Sequence, residues 1–311
     1  FNPKLRVIGF TATPFRLKGG YLTESETIFT DTCFDVTGPA DFMHFINMGW
    51  LAPLIPKQTK TKLDTTGVKT TGGDFNQKAL EEAVDIDSVT AAAVDEIIAE
   101  CGNRRHWLIF ASGVHHAESI ERIMKARGIP CGCVHSKKSD KENDQVLGEF
   151  SRRFIVALIS MGQLTTGFND KEIDLIGVMR PTKSAGLWVQ ILGRGTRVHP
   201  SKRDCLVLDF AGNTARLGPI NDPIIPGTKK KKGEGGENVA PVKICPQCGV
   251  YNHTKAVQCD GCGMAFPVTV SINAEASTED LIRTVEPVLE WHDVNAVFIH
   301  PISNGEQTKR H

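Results

Sequence analysis

Between Asp85 and about Gly212 the chain alternates helix-period segments with short apolar runs, and this alternation restricts the fold more than any other feature. Val89 to Ala99, Val114 to Arg127, Lys141 to Phe150 and Ala185 to Leu192 read as helices. Trp107 to Ala111, Pro130 to Val134, Ile155 to Ser160, Asp174 to Met179 and Cys205 to Phe210 read as strands. Strand, helix and strand in repetition predict an α/β fold, a parallel sheet flanked by helices on both faces. Ligands in such open sheets bind on loops at the carboxyl ends of strands. Leu5 to Phe10 is a further apolar run, closed by a Thr-rich turn, and reads as a buried strand that starts almost at once. A buried parallel strand needs neighbours on both sides, and none is supplied upstream, so the expectation is an amino-terminal truncation.

The 311 residues, with 36 Lys and Arg against 36 Asp and Glu and 40% hydrophobic residues, have an ordinary globular profile that excludes disorder for most of the chain. The length predicts about two domains. Zero net charge removes the cheapest argument for nucleic-acid binding without excluding it, because a basic stripe can be balanced by acids elsewhere. No apolar run approaches the roughly 18 residues of a membrane helix, and no signal segment opens the chain, so the expected location is cytoplasmic, with no membrane partner.

Residues 1–30 precede a connector and surface loop at 31–84, within which 59–75 is rich in Lys, Thr and Gly. The α/β region occupies 85–226. Lys229 to Lys232 and the glycines after them make 227–242 a flexible linker, whose basic run reads as solvated, with nonspecific phosphate attraction as the sharper option. A small cysteine-rich unit follows at 243–267. Residues 268–311 hold a strand-like piece (Val268 to Ile272) and a helix-like one (Thr278 to Val285), and read as the truncated start of a further region.

Of nine cysteines, five are scattered singly (Cys33, Cys101, Cys131, Cys133 and Cys205) and four form two tight pairs, a usage that fits an intracellular metal site better than a disulfide framework. The pairs are Cys245-Pro-Gln-Cys248-Gly249 and, ten residues on, Cys259-Asp-Gly-Cys262-Gly263. Two residues between thiolates let one tight turn aim both sulfurs at one ion, and the following Gly allows the left-handed conformation that the turn needs. Two disulfides or a redox motif are the alternatives, and the doubling of the motif favours a closed structural zinc site. Such a site has no open position, so its ion organises a fold and performs no chemistry. Lys255, Tyr251 and His253 are open to two readings, as phosphate and base contacts or as solvated loop residues.

Gln190-Ile-Leu-Gly193-Arg194-Gly195-Thr196-Arg197 closes an apolar-faced helix, and its two arginines offer guanidinium forks to a polyanion. By composition alone they would more often be surface salt bridges. Ser112 and Ser136, each following a strand, are open to a helix N-cap reading, which is favoured for Ser112.

Thr11-Ala12-Thr13, Thr165-Thr166-Gly167-Phe168 and Gln190 to Arg197 fall in the order of motifs III, V and VI of superfamily 2 helicases. With Gly9 to Arg16, Arg180-Pro181-Thr182, Gly186-Leu187-Trp188, Val207 to Asn213 and a four-cysteine ribbon, the chain resembles RadD-type helicases, phage-encoded relatives included. That resemblance implies two RecA-like lobes with ATP and Mg between them and a nucleic-acid strand across their top. Residues 1–30 would then be the tail of the first lobe with motif III, 85–226 the second lobe and 243–267 a zinc ribbon. It further implies that Arg197 is an arginine finger, Arg194 a companion phosphate contact and Gln190 a polar partner. Thr11 and Thr13 would couple nucleotide state to the strand, Thr165, Thr166 and Gly167 would meet the backbone, and His135 would add a contact. The ribose position after Gly167 holds Asn169 where Asp is usual, with Asp170 beside it as the alternative.

The chain has no Gly-Lys dipeptide, hence no phosphate loop of the G-x-x-x-x-G-K-[ST] type. Asp95-Glu96 follows Thr13, whereas an acidic metal-holding pair should precede it, and reads as a solvated helix face. The expectation is therefore the carboxyl-terminal portion of an ATP-dependent DNA helicase or translocase of repair or recombination, inactive by itself, with single-stranded or branched DNA and single-strand-binding or repair proteins as partners. The alternatives are a non-enzymatic nucleic-acid-binding module, a protein remodeller and the motor of a restriction-like enzyme.

Overall fold

In a computed structural model of the chain the described residues are 7–17, 20–23, 29–162, 168–225, 242–253, 256–259 and 262–266. The leading part holds a hairpin of β1 (Phe15–Arg16) and β2 (Gly20–Tyr21), then α1 (Pro39–Asn47) and β3 (Leu54–Lys57). A second hairpin of β4 (Thr70–Thr71) and β5 (Asp74–Phe75) leads to α2 (Gln77–Val84). The α/β body runs α3 (Asp87–Glu100), β6 (Trp107–Ala111), α4 (Val114–Ala126), β7 (Cys131–Val134), α5 (Asp140–Ser151) and β8 (Ala157–Ser160). It continues through β9 (Leu175–Met179), α6 (Ala185–Leu192), β10 (Cys205–Asp209) and α7 (Asn213–Leu217), and a last hairpin pairs β11 (Val242–Ile244) with β12 (Tyr251–His253).

Six strands form one parallel sheet in the order β3-β10-β9-β6-β8-β7. The central strands are apolar at every position because both faces are covered. Along β6 the faces alternate. Trp107, Ile109 and Ala111 pack with Val94, Ile97, Ile120 and Met124 of α3 and α4. Leu108 and Phe110 pack with Phe150, Trp188 and Ile191 of α5 and α6. At Gly177 in β9 a Cβ would lie 2.7 Å from Ile109 and 3.2 Å from Ile97, so only glycine lets α3 approach this closely. Ser139 and Glu142 form a reciprocal capping box at the start of α5, and Ser184 caps α6.

Every helix and strand expected from Val89 to Phe210 is present within a few residues. Four other expectations are corrected. Residues 7–10 are exposed coil, with Phe10 96% exposed, because no strand among the described residues flanks that run and its apolar side chains have nothing to pack against. Residues 31–84 are more than connector and loop, since β3 is an edge strand of the main sheet. Ser112 caps nothing: Gly113 is the N-cap of α4, and the buried Ser112 hydroxyl donates to the Met179 carbonyl at 2.7 Å, tying β6 to β9. Ser136 does not cap α5 either, a role taken by Ser139. Asp95 is exposed and paired with Arg127, as a solvated helix face requires, while Glu96 accepts the backbone N–H groups of Lys60 and Thr61. The linker residues Lys229 to Lys232, the pieces Val268 to Ile272 and Thr278 to Val285, and Lys255 lie outside the described residues. No described helix is long and apolar enough to cross a membrane.

The free side of β3 receives the cysteine-rich unit. Gln58 N donates to the Gly249 carbonyl at 2.8 Å, Lys57 pairs with Val250 in an antiparallel bridge, and Ile55 packs against Cys245, Val250, Cys259 and Phe266.

His116 sits fully buried in α4, its Nδ1 accepting the Ser112 N–H at 3.3 Å. That bond requires the neutral ring, and burial pushes its pKa down to about 4. Burial also lowers the His135 pKa. The unfolded chain therefore binds more protons below about pH 6.5, and stability is lost as pH falls toward 4. Between pH 7 and pH 5 His116 alone removes about 2 kcal/mol. Urea unfolding at the two pH values should show that drop, and His116→Asn should show a markedly smaller one.

Candidate functional site

Because the sheet is parallel, its strands all begin on one rim and end on the other. Leu54, Trp107, Leu175 and Cys205 mark the amino-terminal rim, and the arginine pair lies there. α6 starts near the end of β9 and runs back, so that Gly193 to Arg197 follow its carboxyl end beside the first residues of β3 and β10. A Cβ on Gly195 would stand 2.7 Å from Cys205 Sγ, 2.9 Å from Leu54 and 3.0 Å from Ile176. The general expectation of ligand loops at carboxyl ends is corrected for this pair by the returning helix.

Arg194 and Arg197 converge on a single acceptor. Both donate through Nη1 to the carbonyl of Phe168, Arg197 at 3.0 Å. Phe168 directly follows Gly167, so at this atom the two arginines meet the end of the segment expected as motif V. Arg194 is buried and Arg197 half-buried. Burial lowers both guanidinium pKa values, and the neighbouring Arg197 charge adds to the effect at Arg194, while Asp170 opposes it at Arg197. Both stay charged. Arg197 forms no ion pair with a carboxylate among the described residues. Gln190, half-buried in α6, has no hydrogen-bond partner among them.

The supporting polar frame was not legible in the sequence. Lys202 Nζ donates to the carbonyls of Ile173 (2.6 Å) and Gly195 (2.9 Å), bridging the start of β9 to the arginine turn. His106 is buried with its ring 3.8 Å from that of Phe150, and its Nε2 lies 2.9 Å from Asp170 Oδ2. Asp170 also accepts the Glu172 N–H through Oδ1 at 2.9 Å. Both its oxygens are thus engaged, whereas Asn169 is exposed. Of the two ribose candidates, Asn169 is the one presented outward. Neither His106 nor Lys202 stands in a recognisable motif. Each is one of several polar residues before a strand, Arg104-Arg105-His106 before β6 and Ser201 to Asp204 before β10.

The other site residues are spread out. Thr165, Thr166 and Gly167 lie outside the described residues. Thr11 and Thr13 form an exposed turn in which Thr13 N donates to Thr11 Oγ1 at 3.0 Å, just before Phe15, whose ring packs on the α6 side of the core next to Gly186. That is the end of α6 away from the arginines. His135 is corrected as a direct strand contact: its side chain is 2% exposed, with Nε2 3.6 Å from Glu118, and its backbone is bonded to Asn143. Ser136 and Lys137, beside it, are the exposed positions.

The four paired cysteines do converge. The Sγ atoms of Cys245, Cys248, Cys259 and Cys262 all lie within 4.8 Å of one another. Cys245–Cys262 and Cys248–Cys259 are 3.6 and 3.5 Å apart, far beyond the roughly 2.05 Å of a disulfide and close to the roughly 3.8 Å edge of a tetrahedron with 2.3 Å metal–sulfur bonds. Gly249 and Gly263 adopt φ of 70° and 73°, the left-handed turn expected after each pair. Tyr251 and His253 belong to β12.

Residues 89–199 match the helicase conserved C-terminal domain, a match that supports the carboxyl-terminal portion of a superfamily 2 helicase. IRC3 of Saccharomyces cerevisiae, classed as an ATP-dependent helicase, is 25% identical over 73% of this chain and 32% of its own length. The mitochondrial irc3 of Schizosaccharomyces pombe, classed likewise, is 28% identical over 76% of this chain and 38% of its own. A 51.5 kDa protein of a Lactococcus phage is 23% identical over 84% of this chain and 56% of its own. The chain thus spans between about a third and somewhat over half of the length of these relatives. Among solved structures, the C-terminal domain of the DEAD-box protein Dbp5 aligns with a TM-score of 0.33 and 15% identity, over 38% of this chain and 69% of that one.

The tight seat of the arginine turn gives a direct test. Gly195→Ala drives a methyl group into Cys205, Leu54 and Ile176 at once. Overpacking of this kind costs about 1–3 kcal/mol. The thermal midpoint should fall accordingly, with Gly186→Ala, whose added methyl meets only ordinary contacts at 3.9 Å, as the comparison.

Proposed function

We propose that this chain forms the second-lobe half of an ATP-dependent DNA helicase or translocase of the RadD type, acting in repair or recombination. The observation that carries this reading is the convergence of Arg194 and Arg197 on the Phe168 carbonyl, which fastens motif VI to motif V. Arg197 is the finger: half-buried, charged and without an ion pair among the described residues, it is held ready for an external anion rather than spent on an internal one. Arg194, deeper and buried, positions it and shares the phosphate. Gln190 lies one helical turn before Arg194, and Asn169 meets the ribose hydroxyls. Bound Mg·ATP supplies the phosphoryl group to be transferred, and the residues here stabilise its charge by position alone, the dominant contribution in this chemistry.

Thr11, Thr13, Thr165, Thr166 and Gly167 serve the nucleic-acid strand in this reading, with Ser136 and Lys137 taking the place of the buried His135. Single-stranded or branched DNA is the substrate, and single-strand-binding or repair proteins are the partners. The chain lacks a phosphate loop, so its arginines act on a triphosphate cradled by another lobe.

The cysteine unit holds zinc, since four thiolates in closed tetrahedral spacing suit that ion and leave no position for a substrate. The purified chain should carry one zinc per molecule by atomic absorption, and Cys245→Ser should lose it.

The product of the full reading frame should hydrolyse ATP when single-stranded DNA is present, with Arg197→Ala slowing turnover by about 10³ to 10⁵. The 311-residue chain alone should show no turnover. Robust hydrolysis by the chain alone that Arg197→Ala abolishes would refute the division of labour proposed here.

A further inference from the structure

A half-buried cation on the carboxyl-terminal rim takes no part in the arrangement above. Arg180 follows β9 directly, and its backbone is fixed on both sides. The Met179 carbonyl accepts the Ser112 hydroxyl at 2.7 Å, and the Arg180 carbonyl accepts Asn213 Nδ2 at 2.9 Å. Its guanidinium, by contrast, has no hydrogen bond or ion pair among the described residues. Burial lowers its pKa, and Asp74 is the one charge that opposes the shift. It remains protonated at neutral pH.

The groups around it are already occupied. Asp74 accepts the Thr182 hydroxyl at 2.6 Å and the Lys183 N–H at 2.7 Å. Lys183 Nζ donates to Thr70 Oγ1 at 2.6 Å, and Arg216 donates to the carbonyls of Thr182 and Ala211 and to Asn213 Oδ1. Asp209 accepts from Ala211 and Thr214. The β4–β5 hairpin is clasped onto the same loop, with Lys183 Nζ 4.7 Å and Arg216 Cζ 5.4 Å from the Phe75 ring centroid. Thus every charged neighbour is satisfied, the stalk is rigid, and one fork of donors is left over. Desolvating a guanidinium without a partner is costly, and an anion from outside repays that cost.

We propose that Arg180 is a seat for a backbone phosphate of a nucleic-acid strand crossing this rim, with the clasped hairpin as its outer wall. The hairpin presents exposed Lys69, Thr70 and Thr71 beside it, so the donors continue along an open rim, as a polymer backbone requires. The triphosphate-reading arginines stand at the opposite end of α6, which separates this anion from the nucleotide. The inference rests on the nucleic-acid reading above and adds to it an arginine contact and a wall.

The test is binding of the 311-residue chain to a fluorescent oligothymidylate, followed by anisotropy across a salt series. Arg180→Gln should lower affinity roughly tenfold at low salt, as expected for one lost charge-assisted contact. It should also flatten the slope of log K against log salt by about 0.7, the value of one phosphate contact on a single strand. Arg180→Lys should keep the slope while recovering only part of the affinity, because the charge remains and the fork is lost. Arg122→Gln, which removes an exposed partner of Asp87 on α4, should change neither. A folded Arg180→Gln chain with wild-type affinity and slope overturns this inference alone. A wild-type chain that fails to bind the oligonucleotide overturns the nucleic-acid reading together with it.

Discussion

Two like-charged guanidiniums sharing one backbone carbonyl is the contact on which the site depends. The Phe168 oxygen is neutral, so it orients Arg194 and Arg197 without discharging them. A carboxylate in its place would bind the pair more tightly and quench it, since a buried ion pair spends on its partner the charge that an external anion needs. The cost is desolvation of both groups, visible in their lowered pKa values, with repulsion from Arg197 adding to it at Arg194. Lys202, capping the carbonyls of Ile173 and Gly195, and Gly195 itself, wedged against Cys205 and Leu54, hold the turn against that repulsion. His106 holds Asp170 close enough to be felt at Arg197 without an ion pair forming.

The parallel sheet explains why this contact is possible at all. Crossovers return the chain from the end of one strand to the start of the next, so the segment from Ser160 to Leu175 must travel from one rim to the other. Phe168 closes that passage, and Arg194 and Arg197 follow the far end of the next crossover helix. Phe168 to Asp170, near the end of that passage, lie beside the arginines.

Legibility in the sequence followed the strength of the physical signal. β6 and β9 were readable because a doubly covered strand must be apolar throughout, and α6 because its apolar face recurs at helical spacing between a Ser cap and a Gly. β3 was not legible because the short run Leu54 to Lys57 contains Pro56, which only an edge strand tolerates, and here its outer side is completed by Gly249 and Val250 of the cysteine unit. The run ending at Phe10 misled for the opposite reason: its composition suits a strand, and composition does not say whether a neighbour is there to cover it. The cysteine spacing and its glycines were legible outright, since ligand geometry is local. The frame of His106, Lys202 and Arg180 was not, because each acts through tertiary neighbours far away in sequence.

β9 and α6, joined by the loop of Arg180 to Ser184, make one rigid piece with a cation at each end. Its carboxyl-rim end is anchored by Ser112, Asn213 and Asp74, and its other end by Phe168 and Lys202. No side chain within the piece links Arg180 to Arg197 directly, so any coupling between an anion at one end and an anion at the other must act through its movement as a body. For that to happen the two anions must belong to something that moves relative to the piece, and a strand lying across one rim and a nucleotide held by a separate lobe at the other meet that condition. Under the function proposed above, transmission from strand to nucleotide would need no flexible wire inside the sheet, only a stiff lever with both handles left charged.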